Sequence, residues 1–200
     1  MKTSSLLLLL PAVLVSAADD GSYNDPARFR KTMLDVHNRY RSEHQVSPLV
    51  WDKYAAAASQ RHADRCIYEH SNTTYGENIA AGFRTSAAAV EAWGDERDLY
   101  SFYGGGYSEA TGHFTQMVWK DTWSLGCGAA SCDGILGYGA QWFLVCRYWD
   151  PGNVRGEFSQ NVFPRKDVRK VNSPGGKKDN WGGDKTGNGD GSNGDGSSGD

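Results

Sequence analysis

The residues best equipped for chemistry sit in GHFTQMVWKDTWSLGCG, Gly112 to Gly128. One histidine, His113, stands there among two threonines, a glutamine, a cysteine and a dense apolar set. An imidazole can move a proton or ligate a metal near neutral pH. Phe114, Met117 and Val118 recur at i, i+3 and i+4, the mark of one apolar helical stripe. His113 is one turn before Met117, so it lies beside that stripe rather than opposite it. A lone histidine in such a place is ordinarily packed or capping, and any other role needs partners. Gly126 and Gly128 flank Cys127, which predicts tight backbone around a disulfide-bonded cysteine.

Other candidates are scattered. His37 adjoins Val36 on an apolar helical pattern and reads as a buried structural histidine. His62, one turn before Cys66, reads as a surface or helix-edge residue. Ser71 follows His70, yet no Ser-His-Asp arrangement stands out around it. Asn72-Thr73-Thr74 is an N-glycosylation sequon, which makes Asn72 a glycan acceptor in an exposed loop. Tyr100 to Thr111, YSFYGGGYSEAT, holds three consecutive glycines and must be a loop. It also carries Tyr100, Phe102, Tyr103 and Tyr107. Such rings either meet an apolar ligand or membrane or fold back onto the domain; both readings stay open on these residues alone.

The elements that must position these groups follow from caps and periodicity. Asp25-Pro26 starts a helix, and Phe29, Met33, Val36 and Tyr40 carry it over 26–44. Asp52 caps a second helix, DKYAAAASQRHADRC, whose alanines admit close neighbours. Ser86 caps a third, AAAVEAWGDERDLY, whose Glu91, Asp95, Glu96 and Asp98 mostly read as a solvated face. QWFLVCRYWD, 141–150, has two apolar-rich faces and reads as a buried strand holding Cys146. Phe158 to Arg165 is the last expected ordered segment. Helices first and last with interleaved strands predict an α+β fold, an α-β-α sandwich in three layers.

The ends lie outside that fold. Lys2, the apolar run Leu6 to Val15 and the small residues Val15-Ser16-Ala17 make residues 1–17 a secretory signal peptide. Its apolar run falls short of the roughly 20 residues a membrane span needs, and no later segment could cross a bilayer. Residues 172–200 are mostly Gly, Asp, Asn, Ser and Lys and read as a disordered tail. About 150 residues remain for one domain, enough to bury roughly 68–70% of the unfolded surface. A net charge of −3 without a basic stripe argues against nucleic-acid binding. Four cysteines in a secreted domain are two disulfides, with three pairings possible.

GHFTQMVW (112–119) and FLVCRYWDPGNV (143–154) resemble the two signature segments of the CAP superfamily: cysteine-rich secretory proteins, antigen 5 and pathogenesis-related 1 proteins. His37-Asn38 with Arg41, and Gly76-Glu77-Asn78, resemble its two shorter motifs. The likeness runs in the family's order across residues 24–171. A compact domain without a cysteine-rich extension is most similar to the fungal PRY-like and plant pathogenesis-related branches.

The resemblance implies what spacing cannot. It implies the pairings Cys66–Cys132 and Cys127–Cys146; Tyr75 stands where relatives often place a further cysteine. It implies a cavity uniting His70, Glu77, Glu96 and His113. Two imidazoles and two carboxylates suit a divalent ion, Zn²⁺ foremost, and an open position on it could activate water. The competing arrangement is a hydrogen-bonded cluster in which each histidine pairs with a carboxylate. Tyr100, Phe102 and Tyr107 match an aromatic-x-aromatic-x4-aromatic pattern that yeast-like members tie to sterol binding. The expected function is therefore a secreted, extracellular, non-enzymatic carrier of sterols or related small hydrophobic lipids. A metal-dependent hydrolase or peptidase using the four cavity residues is the alternative, as is a defence or virulence ligand for another protein.

Overall fold

A computed structural model of the chain describes residues 21–166. The expected signal peptide, the tail after residue 171 and the domain's last residues lie outside that span. In chain order the elements are α1 (Pro26–Glu43), β1 (Val50–Trp51), α2 (Lys53–Ala63), β2 (Gly76–Ala81), α3 (Ser86–Asp95), a 3₁₀ turn (Glu96–Leu99), α4 (Gly112–Met117), β3 (Ser124–Asp133), β4 (Ala140–Trp149) and α5 (Phe158–Asn161).

The strands form one sheet in the order β1-β3-β4-β2, with β1 parallel to β3 and the other pairs antiparallel. Helix α2 covers one face; α1, α3 and α4 cover the other. Alternation along β4 divides its side chains accordingly. Leu144, Cys146 and Tyr148 join the core with Met33, Trp93 and Phe114, while Phe143 and Val145 join Ala63 and Ile79 beneath α2. The structure is thus the expected three-layer α-β-α sandwich, with the disulfides Cys66–Cys132 and Cys127–Cys146.

Glycine sets the spacing of the α2 layer. A Cβ on Gly126 would lie 2.2 Å from the Ala56 nitrogen, and one on Gly128 would lie 2.3 Å from the Gln60 nitrogen. These are backbone atoms that cannot swing aside, so the two glycines let helix and strand approach. The alanines of α2 complete that fit.

Caps behave largely as the sequence predicts. Asp25 accepts from Ala27 and Arg28 nitrogens, and Asp52 from Tyr54 and Ala55 nitrogens. For α3 the cap is Thr85, whose hydroxyl accepts from Ala88 N, rather than Ser86. Ser86 is buried and donates to Ser22 Oγ instead. His62 is a second correction. It is buried, not surface, because the sheet covers its face of α2; Nε2 bonds the Glu69 carbonyl and the ring meets Phe143.

Arg41 is fully buried among backbone carbonyls. Nε donates to Ser47 O, Nη1 to Met117 O and Trp119 O, and Nη2 to Thr122 O. It thereby supplies donors to carbonyls at the C-terminal end of α4, where the helix itself offers none. Burial lowers its pKa to about 10, which still leaves it charged at neutral pH.

Candidate functional site: a histidine–carboxylate cavity beside an aromatic loop

His113 occupies the first turn of α4, and three contacts hold it, two of them on its ring. Nδ1 bonds Glu96 Oε1 at 2.6 Å, Trp93 stacks on one face at 5.8 Å, and the residue's own carbonyl accepts from Asn78 Nδ2 at 3.0 Å. The other Glu96 oxygen accepts from Phe114 N at 3.0 Å. One carboxylate therefore orients the imidazole and places negative charge at a helix N-terminus, where it is favoured.

Asn78 belongs to a buried polar chain. Its amide also donates to Tyr148 Oη, which meets His37 Nε2 at 2.8 Å, and His37 Nδ1 meets Met33 O at 2.7 Å. With Nδ1–H donating to the carbonyl, Nε2 is left to accept the tyrosine proton, and every member is satisfied. Burial lowers the His37 pKa to about 4, so it is neutral here, the buried structural residue the sequence predicts.

His70 enters from the loop after α2 and is the more exposed of the two histidines, 60% against 31% for His113. Its Nδ1 bonds Glu77 Oε1 at 3.1 Å. Glu77 also accepts from Ser71 N at 2.8 Å, from Ser71 Oγ and from Arg147 Nε at 3.3 Å. Burial pushes the Glu77 carboxyl up, but the bonds from His70, Ser71 and Arg147 outweigh it and hold the pKa down to about 2. Such a carboxylate is a weak base at neutral pH. Ser71 Oγ, spent on Glu77 and on a bond from Arg147 Nη2, is therefore not an activated nucleophile.

His70, Glu77, Asn78, Tyr107, Glu109, Gly112, His113 and Asn153 line a cavity of ≈ 290 Å³. Glu96 does not line it, but holds His113 from behind. Three of the four expected residues thus line the cavity, and with Glu96 behind them the four make two histidine–carboxylate pairs. Each carboxylate takes Nδ1, which leaves Nε2 as the free ring nitrogen. Among the described residues, no three His, Cys, Asp or Glu groups stand together as a metal cage. The nitrogen donors this cavity offers a cation are the Nε2 atoms of the two imidazoles.

The aromatic loop divides. Tyr100 is 9% exposed and meets Phe102 edge to face and Phe114 tilted; Phe102 also stacks against His44. These two rings fold back onto the domain. Tyr103 and Tyr107 stay 85% and 63% exposed, next to Leu99 at 71%. Tyr107 packs over Gly112, where a Cβ would lie 3.0 Å from its ring, and forms part of the cavity wall.

Arg147, Asn78 and Trp93 escape a reading of the sequence for chemistry. Only strand register puts Arg147 opposite Glu77. Asn78 carried a signal, its place in Gly76-Glu77-Asn78, but no indication of its partner.

The CAP family, cysteine-rich secretory proteins, matches residues 34–148. The chain belongs to the CAP family. A Candida albicans protein named "Probable pathogenesis-related protein" is 40% identical over 148 residues, covering 72% of this chain and 71% of its own. The "Secreted protein PRY1" of the same organism is 38% identical over 144 residues, covering 69% of this chain and 33% of its own. The chain therefore spans only a third of that CAP relative. The crystal structure of Na-ASP-1 superposes with a TM-score of 0.55 at 26% identity, covering 68% of this chain and 41% of that one.

Proposed function

We propose that this CAP protein is secreted and binds sterols or related small hydrophobic lipids, without enzymatic turnover. The observation that carries this reading is the divided loop. Tyr100 and Phe102 anchor it to the core, while Leu99, Tyr103 and Tyr107 offer apolar surface to solvent. Exposed apolar side chains clustered on one short segment mark a contact surface. A flat ring system laid on them would gain about 25 cal/mol per Å² of apolar area buried. Secretion is supported by the leader pattern in residues 1–17, by two disulfides, which persist in oxidising compartments, and by the name of the PRY1 relative. Asn72 is exposed and is the proposed glycan acceptor, testable as a glycosidase-sensitive mobility shift of the secreted chain.

The histidine cavity is the proposed accessory site. His70 and His113 would take a divalent ion, Zn²⁺ foremost, through Nε2, with Glu77 and Glu96 fixing the tautomers. Hydrolysis is the weaker reading, because the adjacent serine is tied to a carboxylate of depressed pKa.

The deciding measurement is saturable binding of radiolabelled cholesterol to the purified protein. Replacing Tyr103 and Tyr107 together by Ser is expected to weaken it about tenfold or more and leave the melting temperature unchanged. Tyr100→Ser instead lowers the melting temperature, because that ring is part of the core. Undiminished binding in the double variant removes the loop from the function. Equilibrium dialysis against Zn²⁺ is the companion measurement: uptake lost in His113→Ala supports the accessory site, and equal uptake in that variant refutes it.

A further inference from the structure

A second cluster of rings surrounds β1, and neither the aromatic loop nor the histidine cavity contributes to it. Tyr54 is 71% exposed and Trp123 52% exposed. With Trp51, Arg30, Asp52, Lys53 and Ser124 they line a cleft of ≈ 450 Å³. A neighbouring cleft of ≈ 520 Å³ shares Arg30 and Trp51 and continues between α1 and α2, over Phe29, Ala56 and Ala129. Each lies within the range of about 300–1,000 Å³ typical of ligand sites. The two clefts adjoin at Arg30 and Trp51, so a ligand long enough to reach both would be an extended one.

Folding accounts for Trp51, which packs partly against the core, but not for the exposed rings of Tyr54 and Trp123. β1 is two residues long, and Trp123 lies just outside β3. Exposed indole and phenol faces gathered along one groove are characteristic of a contact surface. The polar groups among them decide what it contacts. The Arg30 guanidinium lies 5.8 Å from the centre of the Trp51 ring, and the Lys53 ammonium 5.0 Å from that of Tyr54. Asp52 uses Oδ1 to cap α2, which leaves Oδ2 as an acceptor. Ser124 brings a buried hydroxyl with no hydrogen-bond partner among the described residues. An aliphatic ligand would bury these donors and acceptors unpaired, at a cost. A pyranose ring meets both requirements. Its C–H faces stack on aromatic rings, and its hydroxyl edges give and accept hydrogen bonds. In a β-linked polymer of glucose or N-acetylglucosamine the equatorial substituents leave both ring faces apolar; a β-1,4 chain runs straight and a β-1,3 chain curves.

We propose that the trough flanking β1 binds a β-linked polysaccharide, with Tyr54 and Trp123 as stacking platforms, Trp51 in the wall of the trough, and Arg30, Asp52 and Lys53 as hydroxyl contacts. This site is independent of the lipid reading and survives its failure.

The test uses the purified protein with laminarin, a soluble β-1,3-glucan, with chitohexaose, and with phosphatidylcholine–phosphatidylserine vesicles. Calorimetry is expected to show saturable binding of at least one glycan, weakened about tenfold or more by Trp123→Ala and by Tyr54→Ala. Both side chains are exposed, so the melting temperature of each variant should match the parent. Cholesterol binding should also persist in them, which separates this site from the loop. Failure of both glycans to bind overturns the proposal, as does glycan binding that neither substitution weakens. Vesicle capture abolished by the same substitutions, without glycan binding, would instead assign the rings to a membrane surface.

Discussion

His37 shows how one buried imidazole ties stability to pH. Its native pKa, about 4, lies below the ordinary 6.5, so the unfolded chain binds the extra proton first. The stabilisation is complete above pH 6.5 and is lost as pH falls through that value toward 4. Below about 4 the native residue also takes up its proton, and this loss stops. The interval corresponds to about 3 kcal/mol. Urea unfolding at pH 7 and pH 4 is expected to show that loss, and a His37→Gln variant a smaller one; a parent curve flat over this range would contradict the assignment. Burial lowers His44 in the same direction, so it adds to the step. His37 was legible in the sequence because it adjoins Val36 on the apolar pattern of α1; the structure buries it in one stripe with Phe29, Met33 and Tyr40. His62 was not, because an alanine-rich helix shows no contrast between its faces. The pairing of Glu77 with Arg147 was beyond reach for another reason: residues 70 apart meet only through strand register.

At the scale of elements, helices were easier to read than strands. Asp25-Pro26 and Asp52 announce α1 and α2 by cap chemistry, which is local. β2 and β3, GENIAA and SLGCGAASCD, are poor in the branched and aromatic residues that favour strands. They are strands because β4 pairs with both and α2 presses on β3, which is tertiary context. The same context makes Gly126→Ala costly. The added methyl would strike the α2 backbone, so helix and strand must separate, and overpacking of this kind costs about 1–3 kcal/mol or more. Differential scanning calorimetry should show a lowered melting temperature. Gly104→Ala, in the loop, meets no neighbour but has a φ of +78°, so its smaller cost is backbone strain alone. Equal effects at the two positions would mean that the layers are less tightly fitted than the distances indicate.

Across the whole molecule, the two disulfides divide the work unequally. Cys127–Cys146 joins directly paired residues of β3 and β4, with a sequence separation of 19. Cys66–Cys132 spans 66 residues and fastens the end of the α2 segment to the end of β3. Loop-closure entropy gives about 3 kcal/mol for the shorter loop and about 4 kcal/mol for the longer. Replacing both Cys66 and Cys132 by Ala is therefore expected to lower stability more than replacing Cys127 and Cys146, as read by urea midpoints; the reverse order would show that strain or packing outweighs chain entropy. The longer bridge also closes the segment that carries His70, Glu77, Glu96 and His113.

The stack of Trp93 on His113 has an optical consequence. Indole fluorescence is sensitive to the charge and coordination of an imidazole in contact with it. A ligand that engages His113 Nε2 therefore alters the emission of a tryptophan it never touches. The chain has seven tryptophans, so the Trp93 contribution is obtained by subtracting the spectrum of Trp93→Phe. The cavity thus carries its own reporter, readable in solution without any added dye.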